Sequence, residues 1–133
     1  MKIYGREIRF RRTVGATCDI ADLCPDKDIS RIGEVMNGGT TRSQFRAMCG
    51  FVAALNKGYE DWQKFTASHV GSFGSVGEVE FVFQDPLTFE ELSTLSPEEL
   101  SALFLEAMEV FNEDGKTTVE TEKKMGPEAG ESA

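Results

Sequence analysis

The chain has 133 residues, 40% of them hydrophobic, with 14 Lys+Arg against 23 Asp+Glu. That length holds one domain with a core large enough to need no disulfides. A net charge of −9 argues against general nucleic-acid binding, which needs clustered Lys and Arg against phosphates. Lys2 is followed by no apolar h-region, and no run approaches ~18 apolar residues, so neither a signal peptide nor a membrane span is expected.

The opening, KIYGREIRFRRTV, predicts a β-hairpin with a Gly5-Arg6 turn of type II′. Ile8, Phe10 and Thr13 mark its second strand, and Arg9 and Arg11 alternate to the other face. Two strands alone are marginal, so the ribbon must pack on a helix. Thr17 or Asp19 then caps a short helix through Ile20, Ala21, Leu23 and Cys24, which Pro25 stops. A second short helix spans roughly Ile29 to Met36 and ends at Asn37-Gly38-Gly39.

The central element is Ser43 to Lys64, with Ser43 as its N-cap. Phe45, Met48, Cys49, Val52, Leu55, Tyr59 and Trp62 recur in steps of three or four, the signature of one helical face. Arg46, Lys57, Asp61 and Lys64 lie mainly off that face. Such a stripe is ordinarily core; the functional alternative leaves part of it open to a partner helix.

After Phe65 the chain changes character. ASHVGSFGSVG reads as a flexible Gly/Ser connector over residues 66–77. Val79, Phe81 and Phe83 alternate in the next stretch, either an edge strand or an extended arm over the core. Thr88-Phe89-Glu90-Glu91 and Ser96-Pro97-Glu98-Glu99 each match the capping-box pattern, with Pro97 at the favoured first helical position. A one-turn helix from Phe89 therefore leads into a longer one, carrying Leu100, Leu103, Phe104, Ala107, Met108 and Phe111 and ending at Asn112, Asp114 and Gly115. The remainder, 116–133, is polar enough to predict a disordered acidic tail.

The expected fold class is α+β, mainly α. An N-terminal β-hairpin packs on a small bundle of about four helices in a single domain over residues 1–115.

No catalytic constellation emerges. The one histidine, His69, falls in the Gly/Ser loop, and neither Cys18 nor Cys49 has local support for activation. Cys18, Cys24, Cys49 and His69 offer four zinc-type ligands but no C-x₂-C knuckle. Asp26-Lys27-Asp28 lacks the rest of a calcium loop. GSFGSVG has glycines but neither a strong strand before it nor a clear helix after it, so it is no phosphate fingerprint. Arg6, Arg9, Arg11 and Arg12 form the one basic cluster, read as solubilising charges on an edge strand or as contacts to phosphate or an acidic protein. Charge is divided unevenly, with residues 1–66 net basic and 67–133 strongly acidic. Three cysteines in no dense pattern fit a reducing compartment. Catalytic and metal sites and cofactors are therefore not expected. Apolar helices, an acidic half and polar connectors suit the binding of other proteins, particularly helical or aggregation-prone ones.

MKIYGREIRF at the start, Leu55-Asn56-Lys57-Gly58-Tyr59-Glu60 in the central helix, DPLTFEELSTLSPEEL and the closing TTVETEKK together resemble the tail assembly chaperones of long-tailed phages and prophages of Gram-positive bacteria. The similarity runs over most of residues 1–124, and the stretch from Ala67 to Gly77 fits it least. The resemblance implies a non-enzymatic protein of the host cytoplasm, absent from the mature virion. Such a protein binds the tape measure protein, keeps it soluble and helps recruit tail tube subunits. It also implies that a longer, frameshifted form can arise near Lys123-Lys124. A long amphipathic client needs apolar surface, for which Val52, Leu55, Tyr59 and Trp62, or Leu103, Phe104, Met108 and Phe111, are the candidates. Two other classes stay open: a virion structural tail or connector subunit, and a small metal protein or enzyme using the cysteines and His69.

Overall fold

A computed structural model describes residues 2–68 and 83–125, of which 114–125 by their backbone alone. The chain opens with an antiparallel ribbon, β1 (Lys2–Ile3) and β2 (Arg6–Glu7), in which Ile3 faces Arg6 and Lys2 faces Glu7. The turn residues are Tyr4 and Gly5, at φ 52° and 81°, the positive pair of a two-residue type I′ connection. The expected Gly5-Arg6 turn is thus displaced by one residue, since Arg6 is already in the ladder.

The second strand is also shorter than expected. Residues 8–13 leave the ribbon and run as an arm along the central helix. There the Arg11 N–H donates to the Leu55 carbonyl at 3.0 Å. Side-chain and backbone bonds to this helix replace the strand partner the arm lacks. Ile3 and Ile8 are buried and fix the ribbon to the helices.

Thr13, at the end of the arm, caps α1 (Val14–Ala21) by accepting from the Ala16 N–H at 3.0 Å. Neither Thr17 nor Asp19 is the cap; both lie inside the helix. Two 3₁₀ turns, Pro25–Lys27 and Ile29–Arg31, lead to α2 (Ile32–Asn37). The central helix α3 (Thr41–Ser68) is longer at both ends than its apolar stripe suggested. Its cap is Thr40, whose hydroxyl accepts from the Ser43 N–H at 3.1 Å, while Ser43 Oγ accepts from the Thr40 N–H at 2.9 Å. Ser43 is the reciprocal partner of the cap rather than the cap itself. At the other end α3 continues through residues 66–68, the first part of the expected connector.

The two capping boxes form as read. Thr88 and Glu91 exchange side-chain-to-backbone bonds at the start of α4 (Phe89–Ser93), and Ser96 and Glu99 do so at the start of α5 (Pro97–Met125). Helix α5 does not stop at Asn112–Gly115. It runs on to Met125, ten residues into the expected tail. A nucleated helix gains one hydrogen bond per added residue, and a single interior glycine, at roughly 1 kcal/mol, does not by itself end it. The expected connector from His69 onward, the strand residues Val79 and Phe81, and the end of the tail, 126–133, lie outside the described residues.

Helix α3 is the hub. α1, α2, α4 and α5 each pack on it, and one apolar core links Ile3, Ile20, Phe51, Leu55, Leu92 and Leu103. The architecture is mainly α with an N-terminal hairpin, as expected, but with five α-helices among the described residues rather than about four.

Candidate functional site

Cys18 is exposed, whereas Cys24 and Cys49 are buried, and burial pushes both buried thiols up from their ordinary range. No group of three or more described His, Cys, Asp or Glu side chains is placed to hold a metal ion. His69 lies outside the described residues. No described helix is long and apolar enough to cross a membrane.

Three of the four arginines of the basic cluster take structural contacts. Arg6 donates to Gln84 Oε1 at 3.1 Å and to the Asp85 carbonyl, and approaches Glu91 at 3.5 Å. Arg11 lies 4.4 Å above the Trp62 ring, and Arg12 lies 4.3 Å above the Phe111 ring. These guanidiniums stack on aromatic faces. They fasten the N-terminal arm to α3 and α5, a role that neither the solubilising nor the partner-contact reading supposed.

A buried polar row on α3 escaped the sequence reading. Asn56 and Glu60 are fully buried, and Gln63 nearly so. Asn56 joins two remote segments: its Nδ2 donates to the Arg9 carbonyl at 2.9 Å, and its Oδ1 accepts from the Leu87 N–H at 2.8 Å. Glu60 Oε1 accepts from the Gln84 N–H at 3.3 Å, while Oε2 has no hydrogen-bond partner among the described residues. Burial raises the Glu60 carboxyl above the usual carboxylate range, against the opposing Gln84 N–H and Arg6 charge. The signal was present in the spacing. Val52, Asn56, Glu60 and Gln63 continue the three-to-four step of the stripe with polar residues.

The candidate client residues divide by burial. Val52, Leu55 and Leu103 are fully buried and face the core, so in the folded chain they offer no surface to a client. Tyr59 and Trp62 are half-buried and pack on each other at 5.6 Å, with Arg11 over the Trp62 ring. Phe104, Met108 and Phe111 are half-buried and come together. With Ile32, Met36 and Met48 they line a cleft of about 290 Å³ between α2, α3 and α5. Phe104 and Phe111 also set their edges against the buried Phe51, each at 5.3 Å, so the cleft wall is continuous with the core. The contributions of Met36 and Met48 went unrecognised because α2 and α3 meet α5 only in the tertiary structure.

A second cleft, about 380 Å³, lies between the N-terminal part of α3, α4 and the start of α5. Phe45, Cys49, Leu92 and Leu100 form its apolar lining, and Phe89, 44% exposed, forms its lip.

The chain is thus mainly helical and carries two clefts with apolar lining. Comparison of the chain with protein-family models, curated proteins and solved structures gives no match.

Proposed function

We propose that this chain is a non-enzymatic tail assembly chaperone that binds the tape measure protein and keeps it soluble in the host cytoplasm. On this reading it also helps recruit tail tube subunits and stays out of the finished virion. The observation that supports the reading is the cleft formed by Met36, Met48, Phe104, Met108 and Phe111. A long helical client presents an apolar seam, and such seams dock as helix-in-groove anchors spaced three or four residues apart. Methionine suits a groove that must accept successive, non-identical stretches, because its unbranched thioether repacks easily. Each buried anchor contributes about 1.5–3 kcal/mol. After the cost of association, two or three anchors give the reversible binding an assembly factor needs.

The test reads the adjoining genes for a long helical reading frame and co-expresses its product, as the client, with this chain; the lack of such a frame counts against the reading. Wild type is expected to keep that client in the soluble fraction. A Met36→Gln/Met108→Gln double variant, shown to be folded by an unchanged thermal transition, is expected to lose it. A folded double variant that still solubilises the client overturns the choice of cleft. A wild-type chain that fails to solubilise it, or one recovered stoichiometrically in purified particles, overturns the chaperone reading in favour of a structural subunit.

A further inference from the structure

The second cleft carries a separate inference, independent of the client reading. Its lining is apolar, but its rim is not. Arg42 and Arg46 stand one helical turn apart on α3 and are both exposed. Four basic residues of the described chain have carboxylate partners: Arg6 with Glu91, Lys27 with Asp22, Arg31 with Asp26 and Glu34, and Lys57 with Asp61. Arg42 and Arg46 form no ion pair with any described carboxylate. Arg46 rests instead 5.3 Å above the face of Phe89, so the cation and the exposed ring flank the same opening.

We infer that this cleft docks an amphipathic, acidic helical segment of a partner protein. Its apolar side chains enter between Phe45, Phe89 and Leu95, and its carboxylates pair with Arg42 and Arg46. The volume is in the range of ligand clefts, roughly 300–1,000 Å³. The two guanidiniums start four residues apart along α3, a rise of about 6 Å. That spacing matches two carboxylates one turn apart on a facing helix, whereas a single anionic headgroup would need converging donors. Guanidinium is suited to the task, being weakly hydrated and able to bind carboxylate in a bidentate manner.

The probe is a pair of 18-residue helical peptides with the same leucine row, one flanked by Glu and one by Lys. Binding to the full chain is followed by fluorescence anisotropy and by NMR shift mapping. The Glu peptide is expected to bind wild type, to weaken with added salt, and to shift signals of Phe45, Phe89 and Leu95. R42E/R46E is expected to weaken the Glu peptide by roughly tenfold, the scale of two partly exposed ion pairs, and to prefer the Lys peptide instead. Both substitutions are at exposed positions, and an unchanged thermal transition certifies the fold. Phe89→Ala is expected to weaken both peptides without reversing the charge preference. Equal affinity of wild type and R42E/R46E for the two peptides overturns the inference. So do shifts confined to the Met36–Met108 cleft, or a cleft filled only by self-association of the chain.

Discussion

Asn56→Ala should unlatch the molecule at its most constrained point. The substitution leaves the buried Leu87 N–H without an acceptor, at a cost of about 1–3 kcal/mol. It also removes the donor to the Arg9 carbonyl. That group is only partly buried, so its loss adds the usual net value of one bond, about 0.5–1.5 kcal/mol. The expected total is roughly 2–4 kcal/mol, a large share of a typical stability of about 5–15 kcal/mol. In urea the midpoint should fall with little change in slope, and the thermal midpoint should drop by on the order of 10 °C. Hydrogen exchange should show the Leu87 amide losing protection. Asn56→Asp provides an internal control. It keeps the acceptor for Leu87 but when ionised cannot donate to Arg9 and buries a charge. Its deficit should therefore be greater at pH 7 than at pH 4, where a protonated carboxyl regains a donor. A loss below about 0.5 kcal/mol for Asn56→Ala, or an Asn56→Asp protein as stable as wild type at pH 7, would refute the reasoning.

Gly58→Ala should cost about 2–3 kcal/mol despite alanine's better helix propensity, because a Cβ there would lie 2.5 Å from the Arg11 carbonyl oxygen and 3.2 Å from Ala16 Cβ. Gly50→Ala, whose new methyl meets only the flexible end of Leu23, should stay within about 1 kcal/mol of wild type; equal urea midpoints for the two variants would contradict the close approach at Gly58. Glu60→Gln should stabilise the protein at pH 7–8, by on the order of 1 kcal/mol. A carboxyl raised in the fold binds more protons folded than unfolded, so its contribution is present below the unfolded value near 4.5 and is lost as pH rises through the folded value. The variant's advantage should therefore shrink as pH falls toward 4.5, and an advantage independent of pH would count against a raised Glu60.

What could be read from the sequence was local. Hydroxyl-to-carboxylate spacing in Thr88–Glu91 and Ser96–Glu99 is set within one turn, and both boxes form. The α3 stripe is likewise periodic over many turns. Sequence reading failed where a neighbour decides. Residues 8–13 alternate like a strand, yet their hydrogen bonds go to Leu55 and Asn56 on α3. Thr13, read as a strand residue, caps α1 through the Ala16 N–H three residues on, a local signal that the strand-like alternation masked. The clefts were half-legible: Phe104, Met108 and Phe111 follow helical spacing, but Met36 and Met48 join them only through packing. Val52, Leu55 and Leu103 lie on the same stripes and are core, because periodicity gives the inward face and not the depth of burial.

The motifs that carry the resemblance acquire a physical meaning here. Along Leu55-Asn56-Lys57-Gly58-Tyr59-Glu60, Leu55 fills the core and its carbonyl holds the arm. Asn56 bridges Arg9 to Leu87, Lys57 pairs with Asp61 at 2.7 Å, Gly58 admits the arm's backbone, and Glu60 receives Gln84. The other motif, Pro86-Leu87-Thr88, supplies the partner: Leu87 is buried with its N–H on Asn56, and Thr88 begins α4. These two stretches, some thirty residues apart, are two halves of one joint. The joint closes the N-terminal arm and the return segment around α3. Their residues are determined by packing and hydrogen bonding inside the chain, so a likeness in them speaks for architecture. The proposed partner contacts use different residues, Met36 and Met108 in one cleft and Arg42 and Arg46 beside the other. Changing these leaves the joint intact, so they separate a loss of binding from a loss of fold.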